Sequence, residues 1–190
     1  MKKSTSSHFV FSDPSGYLGN EGFGANDCVI RAFCQALDMT FEELVDDFIN
    51  SPGRGGGRSD LKRRLKIDKK TGRLKNPEEF SGISWADTPA KYLCRSTGLY
   101  KWCNWDDIPL DDFCEITGKK FKGIDFVVGC TNGKYDHATY VRDGKFHDLG
   151  PKYHDWMCYS FFAFKNGKSI HIPEDPDPNF DEGVEYEVID

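Results

Sequence analysis

One stretch of this chain combines a helical pattern with a cysteine at its start: Gly24-Ala25-Asn26-Asp27-Cys28-Val29-Ile30-Arg31-Ala32-Phe33-Cys34-Gln35-Ala36-Leu37. Asn26 is a suitable N-cap, because its side-chain oxygen can accept a hydrogen bond from a free backbone N–H of the first turn. Asp27 favours the positive end of the helix. Four apolar residues then recur at helical spacing: Val29, Ile30, Phe33 and Leu37. The stretch therefore predicts an amphipathic helix over 26–37.

Cys28 lies in the first turn of this predicted helix. A helix N-terminus lowers the pKa of a thiol and favours the thiolate, which is the nucleophilic form. Gly22 and Gly24 leave room for a substrate to approach. Two interpretations are open at this point. Cys28 is either a nucleophile or a buried small hydrophobic residue, as free cysteines often are.

Length and composition favour a single domain with a packed core. The chain has 190 residues, of which 38% are hydrophobic, and no apolar run is long enough to span a membrane. The two lysines near the start are not followed by an apolar segment, so we expect no secretion signal. The seven cysteines contain no Cys-x-x-Cys pair. We therefore expect reduced thiols in a cytoplasm, with neither a metal site nor a cofactor.

The net charge of −6 is unevenly distributed along the chain. Between residues 51 and 75 lie ten basic and two acidic residues, whereas 174–190 contains eight acidic residues and no basic one. We expect one domain over 1–173 with a basic loop inserted at about 51–80, followed by an acidic tail at 174–190. The loop is either a solvated insertion or a patch for an acidic partner, for which nucleic acid is the less favoured choice. Its candidate binding residues are Arg54, Arg58, Lys62, Arg63 and Arg64.

Helical patterns come first along the chain and strand patterns follow. Further helices are predicted over 40–49, where Thr40 and Glu43 form a capping box, and over 88–98 and 109–116, the last ending at Gly118. The Phe9 region is either a short strand or part of the core. Later strands are predicted over 124–131, 134–142, 145–149, 157–165 and 168–172. Three Asn-Gly or Asp-Gly turns separate them, which favours an antiparallel β-meander and an α+β fold.

A thiol nucleophile needs a base, and the register of one predicted hairpin selects it. A two-residue turn at Asp143-Gly144 places His137 and Asp148 on one face of the hairpin as diagonal neighbours. Their Cα atoms should then be roughly 7–8 Å apart, which allows an imidazole–carboxylate hydrogen bond. His147 falls on the opposite face. A slip of one residue would reverse this choice. The candidate catalytic residues are therefore Cys28, His137 and Asp148.

Three segments together resemble papain-like cysteine peptidases, with the closest likeness to small bacterial and phage members. These are Asn26-Asp27-Cys28-Val29-Ile30-Arg31-Ala32, Thr40-Phe41-Glu42-Glu43-Leu44, and Asp136-His137-Ala138-Thr139-Tyr140-Val141-Arg142-Asp143-Gly144-Lys145-Phe146-His147-Asp148. The resemblance implies a papain-like α+β fold in which the cysteine helix packs on the C-terminal sheet. It also implies Cys28 as nucleophile, His137 as general base and acid, and Asp148 as the residue that orients the histidine.

The family usually places a glutamine for the oxyanion hole some six residues before the cysteine, and here that position is Gly22. Asn20 or Asn26 could replace it together with the backbone N–H of Cys28. The activity expected is hydrolysis of peptide or isopeptide bonds in a protein or peptide substrate, in the cytoplasm of a bacterial or phage-infected cell. Two alternatives remain: acyl transfer or deamidation by the same triad, and a non-catalytic binding or inhibitor protein acting through the basic segment 54–75.

Overall fold

A computed structural model describes residues 6–13, 27–50, 68, 70–71, 108–172 and 187–188 of the chain. Within these residues, three α-helices accompany one mainly antiparallel β-sheet. The expected α+β class is confirmed at this level. Several predicted features lie outside the described residues: nearly all of the basic loop at 51–80, the helix over 88–98 and nearly all of the acidic tail.

Helix α1 spans Cys28–Leu37 and carries the predicted apolar stripe into the core, where Ile30 and Phe33 are fully buried. The predicted N-cap is wrong by one residue, since Asp27 occupies the capping position. Its side chain makes no capping hydrogen bond. Instead the Asp27 carboxylate pairs with Arg31 one turn later, at 3.0 Å between Oδ1 and Nη2. Helix α1 therefore begins with a buried ion pair rather than with a side-chain cap.

Helix α2 spans Phe41–Asn50 and begins with the predicted capping box. The Thr40 hydroxyl accepts from the Glu43 N–H at 3.3 Å, and Glu43 Oε2 accepts from the Thr40 N–H at 2.9 Å. Two free N–H groups at the helix start are satisfied reciprocally in this way.

Helix α3 spans Leu110–Lys120, so the predicted end at Gly118 is wrong. Gly118 lies within the helix, and the turn after Arg142 packs directly against it. A Cβ atom at Gly118 would lie 2.7 Å from the Cα of Gly144. The glycine is required here for close approach of two backbones and not as a helix terminator.

The sheet of the described residues contains β1 (Phe9–Phe11), β2 (Ile108–Pro109), β3 (Asp125–Thr131), β4 (Asp136–Arg142), β5 (Lys145–Asp148), β6 (Met157–Lys165), β7 (Lys168–His171) and β8 (Glu187–Val188). Its strand order is β1-β5-β4-β3-β6-β7-β8, with β2 paired to β6. The Phe9 region is thus a strand, which pairs in parallel with β5.

The predicted antiparallel order holds from β3 through β4 to β5, and the predicted hairpin at Asn166-Gly167 joins β6 to β7. The two parts are not consecutive in the sheet: β6 pairs with β3 and not with β5, whose outer edge pairs with β1. The first predicted turn is also longer than expected: Thr131 pairs with Asp136, so four residues connect β3 to β4. Asn132 stabilises this longer loop, since its Oδ1 accepts from two backbone N–H groups, of Lys134 and Tyr135.

The sheet separates two apolar clusters, which fix its two faces. The first contains α1, α2 and the side chains of Ala138 and Tyr140 from β4. The second contains α3 together with Val141 and Phe146 from β4 and β5. Because successive side chains of a strand point to opposite faces, His137 belongs to the α3 face of β4.

Candidate active site

Cys28 is the first residue of α1 and is half-buried at the margin of the first cluster. The residues that follow it anchor the helix, since Val29 and Ile30 are 5% and 0% exposed. The thiol is therefore held at one end of a rigid element that packs on β4. This arrangement gives it a defined position next to the sheet while leaving part of it accessible.

His137 and Asp148 meet through the hairpin of β4 and β5. Tyr140 pairs with His147 and Val141 with Phe146, which is the predicted register. Asp143 and Gly144 both have positive φ angles, of 47° and 75°, as a two-residue turn of this kind requires.

The diagonal relation expected from this register brings the two side chains into direct contact. His137 Nε2 lies 2.5 Å from Asp148 Oδ2, and both residues are buried. The other carboxylate oxygen of Asp148 accepts the N–H of Leu149 at 2.7 Å. The carboxylate is consequently held by two hydrogen bonds and fixes the orientation of the imidazole.

Cys28 also interacts with the imidazole ring of His137. Burial alone lowers the pKa of His137, but hydrogen bonds to Asp148 and to Cys28, with the charges of both groups, outweigh it and raise the pKa to about 9. Since Asp148 occupies Nε2, the nitrogen left for the thiol is Nδ1. The three candidate catalytic residues therefore form one connected chain from Asp148 through His137 to Cys28.

Cys28 and His137 come from different layers of the fold. Cys28 packs with the first cluster, whereas strand alternation assigns His137 to the face of the second. They meet because His137 is the second residue of β4, at the end of the strand that the start of α1 reaches. The sequence pattern placed the two residues in one site but did not indicate this arrangement.

Two aromatic residues at the site were not expected from the sequence. Tyr153 stacks on the His137 ring with the ring centroids 3.6 Å apart, and Trp156 meets the same ring edge-on. No motif marks them, because they lie in the irregular connection between β5 and β6. A short 3₁₀ helix, Pro151–Tyr153, gives this connection its shape.

A small cleft lies beside Cys28. Its lining combines polar residues from three regions, including Ser12, Arg31, Gln35 and His147. The Ser12 hydroxyl donates to Gln35 Oε1 at 2.8 Å, and the Ser12 N–H donates to the backbone oxygen of Asp148 at 2.9 Å. The cleft thus has ordered polar walls next to the thiol.

Burial raises the pKa of Asp27, the residue before Cys28, against the opposing effect of Arg31.

The other described cysteines differ from Cys28 in exposure. Cys34, Cys114, Cys130 and Cys158 are all buried. Burial raises the pKa of Cys34 and of Cys158 to about 12, and it also raises the pKa of Cys114 and Cys130. A buried thiol with a raised pKa is unreactive, so Cys28 is the accessible cysteine among the described residues.

Some predicted residues fall outside the described part of the chain. Asn20 and Asn26, the oxyanion-hole candidates, are among them, and so are the five basic binding candidates: Arg54, Arg58, Lys62, Arg63 and Arg64. Across the described residues, no group of three or more His, Cys, Asp or Glu side chains could hold a metal ion. None of the described helices is long and apolar enough to cross a membrane.

Comparisons with models of protein families, with curated proteins and with solved structures found no match for this chain.

Proposed function

We propose that this protein is a thiol hydrolase of papain-like type that cleaves peptide or isopeptide bonds. The observation that carries the proposal is the position of the His137 imidazole, with Asp148 on Nε2 and Cys28 on its other side. A nucleophile, a base within hydrogen-bond reach and a third group that orients the base make up the arrangement that covalent catalysis requires.

The proposed reaction uses one proton that moves between Cys28 and His137. His137 takes the thiol proton, and the raised pKa of His137 favours the resulting imidazolium. The thiolate attacks the substrate carbonyl, and the imidazolium then donates its proton to the leaving amine as the C–N bond breaks. A thioester remains on Cys28. His137 next takes a proton from water, the hydroxide attacks the thioester, and the carboxylic acid product leaves as the thiol reforms.

The negative oxygen of the tetrahedral intermediate needs hydrogen-bond donors. The backbone N–H of Cys28 is one proposed donor, and an amide from Asn20 or Asn26 is the second. The thioester would transfer its acyl group to an amine if an amine replaced water. If the thioester formed from a glutamine side chain with ammonia as the leaving group, its hydrolysis would complete a deamidation. A free thiolate requires a reducing compartment, so the proposed place of action is the cytoplasm.

Selective alkylation of Cys28 tests the proposal directly. The rate of modification by iodoacetamide would be followed by mass spectrometry from pH 5 to 10 in the wild-type protein, in His137→Ala and in the matched control His154→Ala. His154 is a partly exposed histidine that pairs with Asp111 and not with the thiol. The four buried cysteines are internal references.

We expect Cys28 to react well below the reference thiol pKa of about 8.5, to lose this reactivity in His137→Ala and to keep it in His154→Ala. Circular dichroism would show that each variant is folded. Reaction of Cys28 no faster than that of the buried cysteines would contradict the proposal. The basic segment 54–75 would then become the main candidate, with salt-dependent binding to an acidic protein as its test.

Activity provides the second test. Turnover of a peptide or isopeptide substrate should be lost in Cys28→Ala and retained in Cys34→Ala, which makes the same change further along α1. Equal turnover in both variants would show that Cys28 is not the nucleophile.

A further inference from the structure

Two aromatic residues, Tyr153 and Trp156, contact the imidazole of His137 and contribute no group to the proposed triad. The ring of Tyr153 lies parallel to it, with 3.6 Å between centroids and 10° between planes. Such a close and nearly parallel contact covers one full face of the imidazole. Tyr153 therefore restricts how far the His137 ring can tilt.

Trp156 supports this contact from the side. Its ring stands at 89° to that of Tyr153, with centroids 4.9 Å apart, and at 80° to that of His137, with centroids 6.2 Å apart. The backbone also ties the pair together, since the Trp156 N–H donates to the Tyr153 oxygen at 3.0 Å. The two aromatic rings are thus a preformed support and not independent surface side chains.

The plane of the imidazole matters because both ring nitrogens are engaged in that plane. Nε2 meets Asp148, which leaves Nδ1 for the interaction with Cys28. Rotation of the ring about its bond to Cβ would break the hydrogen bond with Asp148 and turn Nδ1 away from Cys28. One hydrogen bond from His137 Nε2 to Asp148 leaves this rotation only partly constrained, whereas a ring stacked on the imidazole face opposes it directly.

We propose that Tyr153 is a positioning residue that holds the His137 ring in the plane in which it reaches Cys28 and Asp148 at once. This inference rests on the proposed function, because it concerns the same triad. The aromatic face of Tyr153, and not its phenolic hydroxyl, holds the imidazole in this plane. Burial raises the pKa of Tyr153, so its side chain stays a neutral phenol.

The test compares Tyr153→Phe, which keeps the ring, with Tyr153→Leu, which removes it. Tyr135→Leu is the matched control. Tyr135 also lies beneath a lysine ammonium, as Tyr153 does, but it is 58% exposed and its ring contacts Lys134 and not a histidine. Each variant would be assayed for the pH profile of Cys28 alkylation and for thermal unfolding.

Tyr153→Phe and Tyr135→Leu should keep the wild-type profile within about twofold, while Tyr153→Leu should react at least about fivefold more slowly near pH 6.5. A general loss of stability alone would lower the unfolding temperature without changing the profile of the folded protein. A wild-type profile in Tyr153→Leu would overturn the inference but leave the proposed function intact. Absence of low-pH reactivity in the wild type would instead remove the proposed function.

A measurement on the wild-type protein covers the case in which Tyr153→Leu does not fold. In an NMR spectrum, the carbon-bound protons of the His137 ring should show nuclear Overhauser effects to the Tyr153 ring and resonances displaced upfield by its ring current. Free rotation of the His137 ring, seen as the absence of both effects, would overturn the inference.

Discussion

Replacing Asp148 by Asn should remove most of the pH dependence that His137 gives to stability. In the native protein the pKa of His137 is raised from 6.5 to about 9, against the opposing effect of burial. This difference corresponds to about 3 kcal/mol of stabilisation of the imidazolium in the folded state. Asparagine can still accept the Nε2–H bond, but it carries no charge to stabilise the imidazolium.

The sign of the effect follows from the direction of the pKa change. A group whose pKa is raised by folding binds a proton more tightly in the folded state, so its contribution is fully present below pH 6.5. It declines as the pH rises and is lost through pH 9. Asp148 causes the larger part of this rise in pKa and Cys28 the smaller part, which remains in the variant. The difference in free energy of unfolding between wild type and Asp148→Asn should therefore be larger at pH 6 than at pH 10, by about 2 kcal/mol or more.

Urea unfolding followed by circular dichroism at pH 6, 7.5, 9 and 10 would measure this difference. Asp111→Asn is the matched control, because it makes the same change at a partly exposed His–Asp pair, where less than about 1 kcal/mol is expected. A stability difference between wild type and Asp148→Asn that stays constant from pH 6 to 10 would refute the reasoning. It would mean that Asp148 acts on His137 through shape and not through charge.

Two further predictions concern the elements that position the site. Gly118→Ala should destabilise the protein by about 1–3 kcal/mol in urea unfolding, because its Cβ would lie 2.7 Å from the Gly144 backbone. The control Gly150→Ala should leave the stability unchanged, because no atom lies within 4 Å of the added Cβ. Equal effects of the two substitutions would exclude the contact with Gly144 as the cause. Thr40→Ala should lower the free energy of unfolding by about 1 kcal/mol, because it removes the N-cap of α2. Glu43→Gln should keep the capping box and leave the stability unchanged. Equal stability of the two variants would show that the capping box is not stabilising.

Much of the site could be predicted because it depends on local rules. A hairpin with a two-residue turn relates residues on its strands by register alone, so Asp143-Gly144 was sufficient to pair His137 with Asp148. The longer loop at Asn132 shows the limit of the same rule: Asn-Gly favours a tight turn, but the side chain of Asn132 stabilises a four-residue loop instead. That error moved the start of β4 by two residues without changing its register to β5.

Other features could not be predicted because they arise between segments that are distant in the chain. Nothing near Gly118 indicates that the turn at Gly144 will lie against it. Equally, β6 lies beside β3 and not beside β5, whose outer edge pairs with β1 from near the start of the chain.

By itself, the sequence determined the helices with their apolar stripes, the capping box and the hairpin that joins His137 to Asp148. All of these follow from spacing and turn chemistry within a few residues. Only the tertiary structure decided that the start of α1 reaches the end of β4, so that Cys28 from one layer contacts a histidine from the other face of the sheet. It also decided that Tyr153 covers the imidazole. The physical reason is that such contacts come from the packing of whole elements, which no local pattern specifies.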